Sequence, residues 1–218
     1  MRARAETGLT WFVPASNSVA VRNLARTLSP VSNPNPATPF PGTFWVIPQV
    51  LLAGTYPGGA NAAATEQRMK ALLDCGIHSV INLMPEEEMQ EIESSDHYIP
   101  YEDVLEKMGE ERGVIVEIAR YAIEDGNTLT EQEMELILDA IDAEIDGRDS
   151  PTLVHCSNGN GRTGMVIGCY LARHDIAHGK EALAKIRELR ATDEILAKQK
   201  SPETMTEEKF VLRWKAQR

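Results

Sequence analysis

Residues 152–164 read Thr-Leu-Val-His-Cys-Ser-Asn-Gly-Asn-Gly-Arg-Thr-Gly, an apolar run followed by a loop of small and polar residues. Apolar residues recur at helical spacing after this stretch, so the predicted order is strand, tight loop, helix. The glycines at 159 and 161 allow the backbone to turn sharply and to direct successive N–H groups inward. Because those groups lie at a helix N-terminus, whose dipole adds partial positive charge, the loop is predicted to bind an anion of the size of phosphate.

Two side chains give this loop its chemistry. Arg162 offers a planar pair of donors that matches two phosphate oxygens. Cys156 lies at the base of the loop, where the arginine and the helix N-terminus favour its thiolate near neutral pH. We therefore expect Cys156 to attack a bound phosphoryl group as a nucleophile. The residues expected to bind the phosphate are Ser157, Asn158, Gly159, Asn160, Gly161 and Arg162.

The pattern His155-Cys156, five residues, Arg162-Thr163-Gly164 resembles the signature of the cysteine-dependent protein tyrosine and dual-specificity phosphatases. A structural cysteine in a glycine-rich turn is the alternative, but it leaves the preceding strand, the histidine and the Thr-Gly pair unexplained. The resemblance runs from Phe44 to Trp214. It implies an α/β fold with a mostly parallel central sheet, helices on both faces and the phosphate loop between a strand and a helix.

This resemblance implies hydrolysis of phosphate monoesters through a cysteinyl-phosphate intermediate, with phosphotyrosine, and by extension phosphoserine or phosphothreonine, in proteins as substrates. It implies no metal and no cofactor. Thr163 is expected to stabilise the departing thiolate, with a helix N-cap role as the alternative. His155 is expected to order the loop by hydrogen bonding.

A poor leaving group must be protonated, so a general acid is needed. In the resembled family an aspartate on a movable loop, about 30 residues before the cysteine, has this role. Asp125 lies 31 residues before Cys156 and precedes Gly126, which allows the loop to move. An ordinary turn aspartate beside glycine is the alternative reading. Glu124 is the second candidate for the acid; related proteins often have proline at that position.

The chain divides into a flexible, proline-rich extension over residues 1–40 and a phosphatase domain over residues 41–218. Strands are predicted within 43–54 (two, with a turn near Pro48), at 78–83, 114–118 and 152–155. Helices are predicted at 61–75, 130–145 with a Thr130–Glu133 capping box, 163–174 and 180–190. A last helix is predicted from Ser201 as N-cap with Pro202 at its first position.

Charge and cysteine content narrow the partners and the compartment. The net charge is −11, and residues 1–40 contain four arginines and one glutamate, so the remainder has a net charge of −14. That acidity argues against nucleic acid and anionic membrane surfaces as partners. Three cysteines and an ionised thiol indicate a reducing, cytoplasmic setting. The arginines of residues 1–40 also resemble those of an organelle transit peptide, although a plain tail is the preferred interpretation.

Several questions stay open at this level. A phosphate-binding pseudophosphatase, or a phosphatase of a small phosphoester such as an inositol phosphate or phosphoinositide, remains an alternative function. Uncharged Ser157, Asn158 and Asn160 disfavour polyphosphorylated lipids, whose phosphatases tend to have lysines there. The roles of several other residues are predicted only as alternatives: a solvated acidic run at 86–93, surface packing or a pocket wall for Tyr98 and Tyr101, a resolving thiol or a buried helix end for Cys75, a small core residue for Cys169, and a water-positioning or helix-dipole role for Glu203.

Overall fold

The structure, a computed structural model, describes residues 36–94, 99–148 and 150–215. Most of the predicted extension and Tyr98 therefore lie outside the described residues. Phe40, the last residue of that extension, is buried in the core, and the guanidinium of Arg68 lies 5.2 Å from the centre of its ring. The segment that leads into the first strand thus packs on the body of the protein.

A five-stranded sheet forms the centre of the fold. The strands are β1 (Thr43–Ile47), β2 (Leu51–Gly54), β3 (Ser79–Asn82), β4 (Glu117–Arg120) and β5 (Thr152–His155). Their order across the sheet is β1-β2-β5-β3-β4, and every neighbouring pair is parallel except the β1–β2 hairpin. The prediction of an α/β fold with a mostly parallel sheet and an opening hairpin is confirmed.

Both faces of the inner strands are covered. Every residue of β2, β3 and β5 is buried, and successive side chains of a strand point to opposite faces of the sheet. Only a sheet with packed elements on both sides gives this pattern. Each of the aliphatic side chains buried in this way stabilises the fold by about 1.5–3 kcal/mol relative to its exposed state.

Seven helices surround the sheet within the described residues. They are α1 (Ala62–Asp74), α2 (Glu86–Ser94), α3 (Glu102–Glu111), α4 (Glu131–Arg148), α5 (Gly161–Arg173), α6 (Gly179–Arg190) and α7 (Met205–Arg213), with a short 3-10 turn at Leu196–Lys198. Helix α5 is buried along twelve of its residues and packs against α4, α6 and α7. The helix that follows the phosphate loop is therefore the central helix of the fold.

Three predicted elements begin two or more residues away from their predicted starts. Strand β4 begins at Glu117, three residues later than predicted, because residues 113–116 follow a tight turn in which Val114 N–H donates to the Gly109 carbonyl. Helix α5 begins at Gly161, two residues earlier. The last helix begins at Met205, not at Pro202, because Thr204 is its N-cap and forms a capping box with Glu207. Ser201 instead donates its hydroxyl to the Asn160 carbonyl.

Candidate active site

Cys156 lies directly after the central strand, at the base of the predicted phosphate loop. It is 2% exposed, and its sulfur accepts a hydrogen bond of 3.1 Å from the Thr163 hydroxyl. Thr163 is in the first turn of α5, so the N-terminus of that helix faces the sulfur. A hydrogen-bond donor and a helix dipole both stabilise negative charge on sulfur.

The loop keeps its shape because its backbone packs tightly on the neighbouring hairpin. Gly159 has a φ of +66°, and a Cβ atom there would come within 2.7 Å of the Gly54 carbonyl carbon. The segment after β2 also holds the loop, since Tyr56 N–H donates to the Ser157 carbonyl at 2.9 Å. Of the five residues between the cysteine and the arginine, Asn158 is exposed and Ser157 is half-buried, while the others are buried.

Arg190, at the end of α6, supports the loop from below. Its Nη1 donates to the Gly159 carbonyl and its Nη2 to Asn160 Oδ1, both at 2.6 Å. Burial lowers its pKa to about 10, while the negative charges of Cys156 and Asp193 act in the opposite direction. The side chain therefore stays protonated at neutral pH and adds a second positive charge beneath the thiol.

The amide oxygen of Asn160 is turned inward by this contact with Arg190. Sequence reasoning did not identify Arg190, because a basic residue in the last turn of a helix is ordinary.

Arg162 is held from the side of α2. Its Nη1 and Nη2 donate to the two carboxylate oxygens of Glu88 at 2.5 and 2.9 Å, and Nη1 also donates to the Ile123 carbonyl at 3.2 Å. Burial by itself would lower the pKa of this 2% exposed side chain, but the Glu88 hydrogen bonds and the charges of Cys156, Glu88 and Asp125 outweigh it and raise the pKa.

The Nε–H of Arg162 is buried and has no hydrogen-bond partner among the described residues. A buried donor without a partner is costly, so this N–H is suited to bind an oxyanion in the loop.

Glu88 is the main residue that sequence reasoning missed. The prediction of a solvated acidic run at 86–93 is wrong for Glu88, whose side chain is 25% exposed and fixes the arginine. A run of glutamates has no spacing that marks one member as different. The nearest available signal is that Met89 and Ile92 give the run an amphipathic pattern, which places Glu88 beside the buried face.

Asp125 lies at the mouth of the loop. Its Oδ1 is 3.4 Å from Arg162 Nη2, and its side chain is 81% exposed. The backbone before it is fixed, because Ile123 N–H donates to the Leu83 carbonyl and the Ile123 carbonyl accepts from Arg162. Gly126 follows with a φ of +73° and open space around it. Glu124 is also exposed but makes no contact with Arg162, so of the two candidates only Asp125 is brought to the arginine.

His155 is buried at the end of β5 and is neutral, because burial lowers its pKa to about 3. Its Nδ1 lies 3.2 Å from the Cys156 carbonyl and its Nε2 lies 2.7 Å from the Tyr101 hydroxyl. A carbonyl oxygen only accepts, so Nδ1 carries the proton and Nε2 accepts from the tyrosine. The histidine therefore hydrogen-bonds to the start of the loop without adding charge.

Tyr101 is the third member of this arrangement, and its predicted surface role is wrong. It is fully buried at the start of α3, and its ring packs edge-on against Tyr56 and His155. Burial raises the pKa of its hydroxyl, which keeps the hydroxyl protonated as a donor to the histidine.

Two other predicted candidates, Cys75 and Glu203, do not reach the site. Cys75 ends α1 next to Gly76, which packs near Pro151 at the beginning of β5, whereas Cys156 follows the end of that strand. A four-residue strand, about 13 Å long, separates them, so a resolving-thiol role for Cys75 is not supported. Cys169 is buried inside α5, as predicted. Glu203 is exposed, and the carboxylate that packs against Gly161 of the loop belongs to Glu207.

Metal-binding clusters and membrane-spanning helices are both absent from the described part of the chain. Its residues contain no set of three or more His, Cys, Asp or Glu side chains arranged to hold a metal ion. None of its helices is both long and apolar enough to cross a membrane.

Taken together, these distances define the chemistry of the site. The buried thiol of Cys156 follows the central strand, the buried guanidinium of Arg162 has an Nε–H without a partner among the described residues, and the exposed carboxyl of Asp125 lies 3.4 Å from that guanidinium. These are the types of group that hydrolysis of a phosphate monoester through a cysteine would need: a nucleophile, a cation and an acid.

Comparisons with known proteins agree with this class. The model of the Swiss Army Knife protein, DSP-PTPase phosphatase domain (PTP-SAK), matches residues 41–211. The chain therefore belongs to the protein tyrosine and dual-specificity phosphatase family, and within it to the PTP-SAK domains. No curated protein sequence matches the chain.

Solved structures share the fold at low sequence identity. Tk-PTP in its active form has a TM-score of 0.57 at 20% identity, covering 78% of this chain and 94% of that one. The kinase associated phosphatase has a TM-score of 0.56 at 19% identity, and the match covers 74% of this chain and 83% of that one. PTPMT1 in complex with PI(5)P has a TM-score of 0.57 at 16% identity, and the match covers 78% of this chain and 92% of that one. TpbA from P. aeruginosa, in complex with phosphotyrosine, has a TM-score of 0.51 at 14% identity, and the match covers 81% of this chain and 86% of that one.

Proposed function

We propose that this protein is a cysteine-dependent phosphatase that hydrolyses phosphotyrosine in proteins, with phosphoserine and phosphothreonine as further substrates. The observation that supports the proposal most is the 3.1 Å hydrogen bond from Thr163 to the buried sulfur of Cys156, in the same loop as the free Nε–H of Arg162. A structural cysteine has no need of a hydroxyl donor, a helix N-terminus and two buried arginines.

The first step forms a phosphorus–sulfur bond. The Cys156 thiolate attacks phosphorus while the bond to the ester oxygen breaks, and Asp125 gives its proton to that oxygen, so a neutral alcohol or phenol leaves. The loop N–H groups and Arg162 Nε–H bind the equatorial oxygens, whose charge they stabilise in the transition state.

The second step returns the enzyme to its starting state. Asp125, now a carboxylate, removes a proton from a water molecule that attacks phosphorus, and the phosphorus–sulfur bond breaks to release inorganic phosphate. The Thr163 hydroxyl donates to the sulfur as it regains its negative charge, which makes the thiolate a better leaving group.

Two features favour a phosphorylated protein over a small polyphosphorylated ester. The loop side chains of Ser157 and Asn158 are uncharged, and the amide oxygen of Asn160 points to Arg190 instead of toward a ligand. TpbA, a structural neighbour, was solved with phosphotyrosine. PTPMT1, another neighbour, was solved with PI(5)P, so phosphoinositide is the second candidate substrate.

A thiolate enzyme works in a reducing compartment, and we propose the cytoplasm.

The test is hydrolysis of para-nitrophenyl phosphate without added metal. Wild type should turn over, vanadate should inhibit, and Cys156→Ser should lose turnover while still binding phosphate. Activity that persists in Cys156→Ser would rule out the cysteine mechanism. No turnover by folded wild type on aryl phosphates and phosphopeptides, with phosphate binding retained, would favour the pseudophosphatase alternative.

The acid is tested separately. Asp125→Asn should slow alkyl phosphates more than aryl phosphates, because phenoxide leaves with less protonation. Glu124→Gln is the matched control and should leave both rates within about three-fold of wild type, since Glu124 is exposed and forms no ion pair with Arg162. An equal loss on both ester types in Asp125→Asn would assign the acid to another residue.

A further inference from the structure

Carboxylates border the mouth of the phosphate loop on two sides. Helix α2 reaches Arg162 through Glu88, and the loop after β4 reaches it through Asp125. Each of these segments carries further acidic side chains that are wholly or partly exposed. On α2, Glu86 is bound by Arg120, whereas Glu87 and Glu91 form no ion pair with the described residues; on the loop the further acid is Glu124.

The position of Glu87 and Glu91 follows from helical geometry. Met89 and Ile92 face the core, and Glu88 faces Arg162. At 100° per residue, Glu87 and Glu91 lie on one stripe, next to Glu88 and on its solvent side. Their carboxylates are therefore neighbours of the Glu88–Arg162 pair at the edge of the site.

Neither glutamate has a role in the packing of the protein. Their side chains form no hydrogen bond or ion pair with the described residues, and like charges four residues apart destabilise a helix. The helix dipole favours Glu87, which is in the first turn, but its effect does not extend to Glu91. The acidic stripe thus lowers stability without a compensating contact.

Among the described residues, three arginines of the elements around this site are already engaged. Arg162 is bound by Glu88, and Arg120, at the end of β4, is bound by Glu86 and Glu102. Arg68 donates to the Gly58 carbonyl and packs on Phe40. A substrate whose phosphate enters the loop therefore meets negative charge around that phosphate, and a second phosphate would be repelled.

We infer that Glu87 and Glu91 select phosphopeptides with basic residues beside the phosphorylated residue. This inference rests on the proposed phosphatase function and narrows it to one class of substrate. Lysine or arginine beside the phosphorylated residue would pair with the exposed carboxylates, while the buried donors of the loop bind the phosphate. The same charges act against phosphoinositides, whose additional phosphates and membrane surface are anionic.

The test compares two phosphotyrosine peptides of equal length, with lysines or with glutamates at the two positions on each side. At low ionic strength we expect kcat/KM to be about ten-fold higher for the lysine peptide, and the ratio to fall toward one as salt is added. PI(5)P presented in vesicles should be hydrolysed more slowly than the lysine peptide.

Variants locate the effect. Glu87→Lys combined with Glu91→Lys should abolish or reverse the preference, while para-nitrophenyl phosphate, which has no flanking charges, should change less than about three-fold. The matched control is Glu110→Lys with Glu111→Lys, the same change in net charge on two exposed glutamates at the end of α3. These two glutamates precede β4, whereas the phosphate loop and Asp125 follow the ends of their strands. The control substitutions therefore lie at the opposite end of the strands from the site, and the control should keep the wild-type preference.

The outcomes separate this inference from the proposed function. Three results would overturn the charge selection but keep the proposed phosphatase function. They are equal rates for the two peptides, faster hydrolysis of PI(5)P than of the lysine peptide, and the same loss of preference in the control variant. If no substrate is hydrolysed, the proposed function fails, and peptide affinities of the Cys156→Ser variant still test the selection. Equal affinities of that variant for both peptides would overturn the inference.

Discussion

At the scale of single residues, the site depends on how the five N–H donors of Arg162 are divided. Glu88 and the Ile123 carbonyl accept three hydrogen bonds from the two terminal nitrogens, Nη2 also lies 3.4 Å from Asp125, and the Nε–H has no partner among the described residues. A guanidinium that is fixed on one edge presents its other edge in a defined direction. Such preorganisation removes the entropic cost of orienting the group during the reaction.

Glu88→Gln should therefore impair catalysis more than phosphate binding. The amide keeps the size of the side chain but accepts through one oxygen, so the arginine loses its bidentate partner. We expect kcat to fall by about ten- to hundred-fold, with KM for para-nitrophenyl phosphate changed much less. Steady-state kinetics give both values. Glu87→Gln is the control, and an equal effect of both substitutions would mean that only the net charge of α2 matters.

At the scale of secondary-structure elements, two arginines hold the elements that carry the proposed catalytic groups. Arg120, at the end of β4, binds Glu86 of α2 and Glu102 of α3, and Asn82 of β3 also donates to Glu102. This network fixes the N-terminus of α2, and with it Glu88. Arg190, at the end of α6, fixes the phosphate loop.

Arg120→Met should act on catalysis through α2. Without the arginine, Glu86 and Glu102 repel each other and the first turn of α2 is released. We expect a loss of about 1–2 kcal/mol in the free energy of unfolding and a reduction of kcat similar to that of Glu88→Gln, measured by urea unfolding and by kinetics. Arg112→Met is the control, since its bridge to Asp74 is exposed and is expected to contribute little. A stability loss with normal kcat would show that Arg120 is structural only.

Arg190→Met should weaken the loop itself. The substitution leaves the Gly159 carbonyl and the Asn160 amide oxygen buried without their donor, which costs about 2–4 kcal/mol in the free energy of unfolding. It also removes a positive charge beneath Cys156, so turnover should fall by more than about ten-fold, since a displaced loop misaligns its donors. Arg187→Met, an exposed site one turn earlier, is the control for urea unfolding and kinetics. Normal turnover in Arg190→Met would mean that the loop keeps its shape unaided.

At the scale of the whole molecule, the buried His155 links folding stability to pH. Its pKa is about 3 in the folded protein against an ordinary value of 6.5. Between these values the unfolded chain binds a proton that the folded chain does not, so stability falls as the pH decreases from 6.5 toward 3. The contribution is about 3 kcal/mol between about pH 7 and pH 4.

His155→Gln should therefore have a flatter dependence of unfolding free energy on pH across this range, even though it is less stable at neutral pH. Urea unfolding at several pH values measures both slopes, and carboxylate titrations common to the two proteins cancel in the difference. Identical slopes would contradict a buried, neutral histidine. The same variant should also loosen the loop, because the hydrogen bond to the Cys156 carbonyl is lost.

The parts of the fold that were predictable from sequence are those encoded by short-range patterns. Residues 152–164 specify strand, loop and helix through local spacing, and Thr130 and Glu133 form the predicted capping box. The roles of Glu88 and Arg190 were not predictable, because each depends on partners that are distant in the chain, 74 residues away for Glu88 and 30 or 31 for Arg190. Ser201-Pro202 has the composition of a helix start, but tertiary packing draws Ser201 to the phosphate loop and leaves Thr204 as the cap.

The contact between Gly159 and Gly54 sets the limits for redesigning this enzyme. Neither position has room for a methyl group, because Gly54 in turn packs against the Gly42 carbonyl. A library aimed at new substrates should therefore leave both glycines untouched. It should vary Ser157 and Asn158, whose side chains are more accessible, together with the outer stripe of α2. Directed evolution of this protein should therefore keep the buried residues of the loop and vary the residues at its outer edge.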